Sequence, residues 1–212
     1  MKSAFARWIA LLVALCPAAS MSQLPEAAPS EAEHGQQIYV ICGACHGSLA
    51  LGEQRLGAPS LVGQQRSYLL RQLRNFRSGI RGGKGDDQAR QMRLILDTVA
   101  DESDWKAVIA YLASLAVPGP QSSRLGDIEA GRQLYTTCSA CHGLTAEGNE
   151  ALGAPSLRSL PDWYIVDELR KYRQGARGAS PDDPPGARMR AVAATLRSEE
   201  DMRAVASFIV SR

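Results

Sequence analysis

Cys42-Gly43-Ala44-Cys45-His46 occurs a second time as Cys138-Ser139-Ala140-Cys141-His142. Two cysteines three apart, with a histidine directly after, make C-x-x-C-H, the pattern through which a c-type haem is attached. The two thiols add across the porphyrin's vinyl groups, and the adjoining imidazole is held beneath the iron. Rival readings are a disulfide or a zinc site drawn from the two cysteine pairs. A disulfide needs no histidine, and zinc leaves the identical placing of both histidines unexplained. Chance explains the repetition poorly in a chain with 5 cysteines and 3 histidines among 212 residues.

Working outward from these stretches, the whole chain repeats. A shift of 96 lays Gly35 on Gly131, Tyr39 on Tyr135 and His46 on His142. It also lays Gly57-Ala58-Pro59-Ser60-Leu61 on Gly153-Ala154-Pro155-Ser156-Leu157, Tyr68 on Tyr164, Arg81 on Arg177, and Asp86-Asp87 on Asp182-Asp183. Beyond that the offset becomes 97, pairing Met92 with Met189, Trp105 with Met202 and Tyr111 with Phe208. Internal repetition of this kind implies two homologous domains, each with one covalently bound haem c. The expected boundaries are a domain over 23–117, a Pro- and Gly-containing linker over 118–123 and a domain over 124–212.

Each half reads as helical. The expected helices run over Glu31–Ile41, Gln65–Arg77 and Asp101–Leu115, then Ile128–Thr137, Pro161–Arg173 and Ser198–Val210. Tyr68, Leu69, Leu73 and Phe76 recur at helical spacing, as do Trp105, Val108, Ile109 and Leu112. Pro161 suits a first-turn position. No alternating strand pattern stands out, so the fold class is all-α, in two tandem domains joined by a short linker. Domains this small have thin cores, which a haem fills. Gly35 and Gly131, inside helices at a propensity cost, point to close helix approach, with Tyr111 and Phe208 as the expected contacts.

Residues 1–22 have the layout of a secretory signal: Lys2 and Arg7, an apolar run from Trp8 to Leu15, then small residues. Export fits the chemistry, because c-type haem is attached outside the bacterial cytoplasm; the expected location is periplasmic, with peripheral or no membrane association. An uncleaved anchor is the alternative, though the apolar run is short for a bilayer. Removing the segment takes Lys2 and Arg7 from 24 bases and nothing from 22 acids, so the exported chain is formally neutral. That balance gives no support to nucleic-acid binding. Cys16 leaves with the segment, and the four other cysteines all belong to the haem motifs.

The second axial ligand decides the chemistry. Met92 follows His46 by 46 residues and Met189 follows His142 by 47, a spacing that core packing alone does not explain. The candidate metal ligands are therefore His46, Met92, His142 and Met189, with Cys42, Cys45, Cys138 and Cys141 as attachment points. An open, reactive iron, or His34 as ligand in the first half, are the alternatives. Met202 aligns with Trp105 and reads as core. A thioether favours ferrous iron and raises the reduction potential. Two filled axial positions suit electron transfer and oppose catalysis at iron. Pro59 and Pro155, each 13 residues after its histidine, offer a carbonyl to fix the imidazole. Residues 66–93 carry eight bases against Asp86 and Asp87, a set suited to neutralising haem propionates and steering an acidic partner.

The two C-x-x-C-H-G motifs, the paired G-A-P-S-L loops, the run Gln64…Tyr68…Gln72-Leu73…Phe76…Gly79…Arg81 and the late methionines resemble the cytochrome c4 family. The resemblance spans nearly all the chain after residue 22 and implies two tandem class I cytochrome c domains. It implies His46/Met92 and His142/Met189 axial pairs, haems meeting near the domain interface, and single-electron carriage between a respiratory donor and a terminal oxidase. Arg93, Arg188 and Arg190 depart from the small or apolar neighbours usual beside the methionines, which bears on the docking face. A relay subunit of a dehydrogenase or oxidase complex, and a dihaem peroxidase, are the rival functions; the matched methionines speak against the second.

Overall fold

A computed structural model of the chain describes residues 29–99, 101–119 and 125–212. The signal segment 1–22, and with it Cys16, lies outside the described residues, as does most of the linker.

Helix α1 spans Glu31–His46, running five residues further than its apolar pattern suggests and carrying the whole haem motif on its last turns. Ser30 and Glu33 close a capping box at its start, satisfying two amides that the helix cannot pair internally. Gly47, at φ 77°, ends it. The second half repeats the device: Asp127 caps α5 (Ile128–His142) and Gly143, at φ 82°, ends it.

The remaining helices of the first half are α2 (Arg66–Arg77), α3 (Asp87–Leu96) and α4 (Glu102–Ser114). Those of the second are α6 (Asp162–Gln174), α7 (Pro184–Ala193) and α8 (Glu199–Val210). Pro161 is the N-cap of α6, one place before the first turn where the sequence pattern puts it. Helices α3 and α7 are new relative to the periodicity. They are short, begin at the buried aspartates Asp86 and Asp183, whose carboxylates accept from the Ala89 and Gly186 amides, and carry Met92 and Met189. These caps lie 97 apart, so the extra residue of the second half falls between Arg177 and Asp183, earlier than the Asp86/Asp182 pairing expects.

Within each half the first helix packs on the last, α1 on α4 and α5 on α8. The backbones approach at Gly35 and Gly131. A methyl at Gly35 would overlap the Ala107 carbonyl, and one at Gly131 the Ala204 carbonyl. The two expected contact residues pack equivalently on the first helices, the Tyr111 ring on Tyr39 at 5.3 Å between centroids and Phe208 on Tyr135 at the same distance; Phe208 Cβ also lies close beside Gly131. Met202 is 2% exposed within the second core, as the sequence reading has it. Among the described residues the only strand-like pairings are the bridges Glu53–Ala58 and Asn149–Ala154.

Candidate functional site

A large cavity lies over each haem motif, of about 1030 Å³ in the first half and about 1120 Å³ in the second, both counted to their open mouths. The first is lined by Cys42, Cys45, His46 and Met92, the second by Cys138, Cys141, His142 and Met189. All eight predicted site residues thus gather as two sets of four. His34 lines neither cavity; its Nε2 lies 3.1 Å from Asp104 on the outer side of α1 and α4.

The histidines are placed by their helices and fixed by the loops that follow. After α1 the chain turns back, with the Gly52 amide donating to the His46 carbonyl at 2.9 Å and the Leu61 amide to Ala50 at 2.9 Å. The second half repeats this with Gly148 to His142 at 2.8 Å and Leu157 to Ala146 at 2.9 Å. Ala50 and Ala146 hold φ values of 58° and 61°, a left-handed conformation uncommon for a residue with a side chain. The turn delivers the Pro59 carbonyl to 2.8 Å from His46 Nδ1 and the Pro155 carbonyl to 2.9 Å from His142 Nδ1. A carbonyl only accepts, so Nδ1 carries the proton and Nε2 keeps its lone pair for the cavity. Burial pushes both rings below the ordinary imidazole value, with the proline carbonyls pulling the other way. Neutral, oriented imidazoles of this kind are metal ligands in waiting.

Gly52 and Gly148 make this delivery sterically possible, and the sequence reading passed over them. At φ 87° and 84°, a methyl on either would sit 2.6 Å from the Pro59 or Pro155 carbonyl carbon. In the sequence Tyr39 and Tyr135 stand out only as equivalents under the repeat. Each buried ring sends its hydroxyl to the glycine after the histidine, Tyr39 to Gly47 at 2.8 Å and Tyr135 to Gly143 at 2.9 Å. The repeat alignment held the signal for all four.

The cysteines are unpaired, Cys45 and Cys141 exposed at the mouths, Cys42 and Cys138 half-buried. Burial pushes the Cys42 thiol up and the Cys138 thiol to about 11. Among the described residues no three His, Cys, Asp or Glu side chains converge as a metal site.

The inner ends of the cavities meet. Tyr68, Gln72, Leu160, Tyr164 and Glu168 line both. Arg81 lines the first and Arg177 the second; each is 5% exposed, and each has an Nε with no acceptor. A buried guanidinium N–H left without a partner calls for an anionic acceptor in the cavity. A planar apolar group held by two thioether links and carrying acidic arms would fit these residues, with a histidine and a methionine at hand in each cavity. Two haem c groups meet that description. The basic run over 66–93 is largely spoken for within the protein: Arg74 pairs with Glu102 at 2.7 Å, Arg77 reaches the Leu96 carbonyl at 2.6 Å, Arg90 meets Asp87 and Arg71 crosses to the Gly153 carbonyl at 2.6 Å.

The family described as "Cytochrome c" matches residues 32–116 and again 128–212. A cytochrome c4 of Azotobacter vinelandii is 31% identical over 195 residues, covering 86% of this chain and 89% of its own. A thiosulfate dehydrogenase electron acceptor of Stutzerimonas stutzeri is 30% identical, covering 92% and 94%. The crystal structure of reduced recombinant cytochrome c4 from Pseudomonas stutzeri superposes with a TM-score of 0.68 at 29% identity, over 84% of this chain and 96% of that one. No helix among the described residues is long and apolar enough to cross a membrane. With two haem motifs, two matching cavities and relatives aligned over nearly their full length, the chain belongs to the cytochrome c4 family of dihaem electron carriers.

Proposed function

We propose that the chain carries single electrons in the periplasm, through one haem held by Cys42, Cys45, His46 and Met92 and another held by Cys138, Cys141, His142 and Met189. Bound there, each haem supplies an iron that cycles between two oxidation states. The chain's residues do the rest. Pro59 and Pro155 hold the imidazole protons on Nδ1, which keeps the opposite nitrogens aimed inward. Helices α3 and α7 bring a soft sulfur into each cavity, a donor that favours the reduced ion. Apolar linings such as Leu69 and Ile95 in the first cavity and Leu169 and Ile209 in the second exclude water. The observation that carries the reading is the pairing, in both halves, of a tautomer-fixed histidine with a methionine in one cavity.

Met92→Ala and Met189→Ala test it. Each variant should lose about half of the sulfur-to-iron charge-transfer absorption of the ferric protein, and the double variant all of it. An unchanged spectrum in either single variant overturns that ligand.

The donor and acceptor are other redox proteins, a respiratory donor and a terminal oxidase. A second reading, a relay docked beside a dehydrogenase, is favoured by the relative named as a thiosulfate dehydrogenase electron acceptor. Co-purification of a dehydrogenase with the chain at native expression separates the relay from a free shuttle.

A further inference from the structure

At the meeting point of the two cavities the repeat is nearly exact in position and broken in charge. The shift of 96 lays Gln72 on Glu168 and Arg81 on Arg177. Arg81 donates to Gln72 Oε1 at 2.9 Å within its own half and to Glu168 Oε2 at 3.1 Å across the interface. Arg177 does the converse, meeting Glu168 within its half and Gln72 Oε1 at 3.0 Å across it. The four side chains form a ring in which the halves exchange roles, as a local two-fold requires. The symmetry extends to the rings behind, with Arg81 at 4.4 Å over Phe76 and Arg177 at 4.6 Å over Tyr172. Only one of the two equivalent acceptors is a carboxylate.

We infer that Glu168 is a positioning residue that places one fixed negative charge between the two haems, and so lowers both reduction potentials while locking the domains in register. Three observations carry this. Glu168 lines both cavities, so its charge acts on both irons. It is 6% exposed, where solvent screens little. Its two arginine partners come one from each half, and each keeps a free Nε for the acidic arms of the haem nearest it. A buried anion favours the ferric over the ferrous ion, because the oxidised centre carries one more positive charge. Burial costs this carboxylate, and the arginines with Lys171 offset that cost and keep it ionised. Lys171 donates to Glu168 Oε1 at 3.2 Å and is also paired with Asp86 and Asp167 at 2.9 Å each, so its charge is shared among three carboxylates.

The inference rests on the haems occupying the two cavities as proposed above. Its test is a redox titration of the holoprotein, wild type against Glu168→Gln, with both haems followed optically. Glutamine keeps the shape and an acceptor oxygen and removes the charge. Both midpoint potentials should rise, while the methionine charge-transfer band, which reads the ligation separately, keeps its intensity. Gln72→Glu, which adds a charge at the equivalent position, should lower both. The exchanged variant Gln72→Glu/Glu168→Gln should bring both back toward wild type. Potentials unmoved in Glu168→Gln with that band intact, or a shift confined to one haem, overturn the inference and leave the ligand assignment standing. Should Glu168→Gln not fold, the fall expected in Gln72→Glu decides the matter alone, and unchanged potentials there overturn it.

Discussion

A tyrosine hydroxyl that donates to the carbonyl after an axial histidine does two things at once. It satisfies a polar group inside the core, and it ties the end of the helix to the residue on which the iron site depends. Tyr39 and Tyr135 are each 3% exposed, so a hydroxyl deprived of its carbonyl partner would have little water to turn to. Burial pushes the Tyr135 phenol up to about 12, so the bond persists as a neutral donor across the working range. Tyr39→Phe and Tyr135→Phe should each cost about 1 kcal/mol, the ordinary net worth of such a bond. Thermal unfolding of the holoproteins measures it, and losses that add in the double variant would show that the two sites act separately. At this scale the chemistry was open to a reader of the chain, because C-x-x-C-H names its own role and the methionines keep nearly equal distances from their histidines. What stayed hidden was support. Gly52, Gly148 and the two tyrosines act through backbone carbonyls, and a carbonyl leaves no mark in a string of side chains.

Between helices, backbone contact sets the geometry. Gly35 on α1 meets Ala107 on α4, and Gly131 on α5 meets Ala204 on α8, each at a carbonyl that cannot swing aside. Gly35→Ala or Gly131→Ala must therefore separate the helix pair, against the slight gain in helix propensity that alanine brings. Overpacking in a close-packed core costs about 1–3 kcal/mol, so each variant should unfold at lower temperature. If either melts at or above the wild-type temperature, helix contact at that glycine is not what the residue is for. The glycines, and the six helices with apolar periodicity, were readable from the repeat. Helices α3 and α7 were not. In α3, Asp87, Arg90 and Arg93 interrupt a stretch of ten residues, and α7 opens on Pro184-Pro185, which reads as a stop although proline fits a first turn. Only the buried aspartate caps and the cavity side of each helix explain why they form.

The assembly of the halves was the least visible in the chain, since apolar periodicity reports only apolar burial and this interface is built from charge and amides. Gln64 bonds both the amide and the carbonyl of Ser156, at 3.1 and 2.9 Å, and Arg71 reaches Gly153. Arg81, Arg177, Lys171, Glu168 and Asp86 are all buried where the halves meet, and the ion pairs Arg81–Glu168 and Lys171–Asp86 join residues far apart in sequence. Such an interface answers to pH. Burial would raise the Glu168 carboxyl, but Arg177, Arg81 and Lys171 overcome this and hold it at about 2, below its ordinary 4.5. A carboxyl depressed by docking stabilises the docked form fully above the undocked value, and that contribution disappears as pH falls toward the docked one. Between about pH 4.5 and 2, therefore, protons taken up at Glu168 neutralise the one carboxylate of this chain that Arg81 and Arg177 share. Thermal unfolding of the holoproteins should show wild type more stable than Glu168→Gln at neutral pH, with the gap closing as pH falls through that window. Glu168→Gln, which takes up no proton at this point, supplies the reference with its domains still docked. Melting temperatures that coincide for the two proteins at neutral pH and diverge nowhere in the window would mean that the interface is held by Gln64, Arg71 and their backbone partners, with the charged ring a passenger.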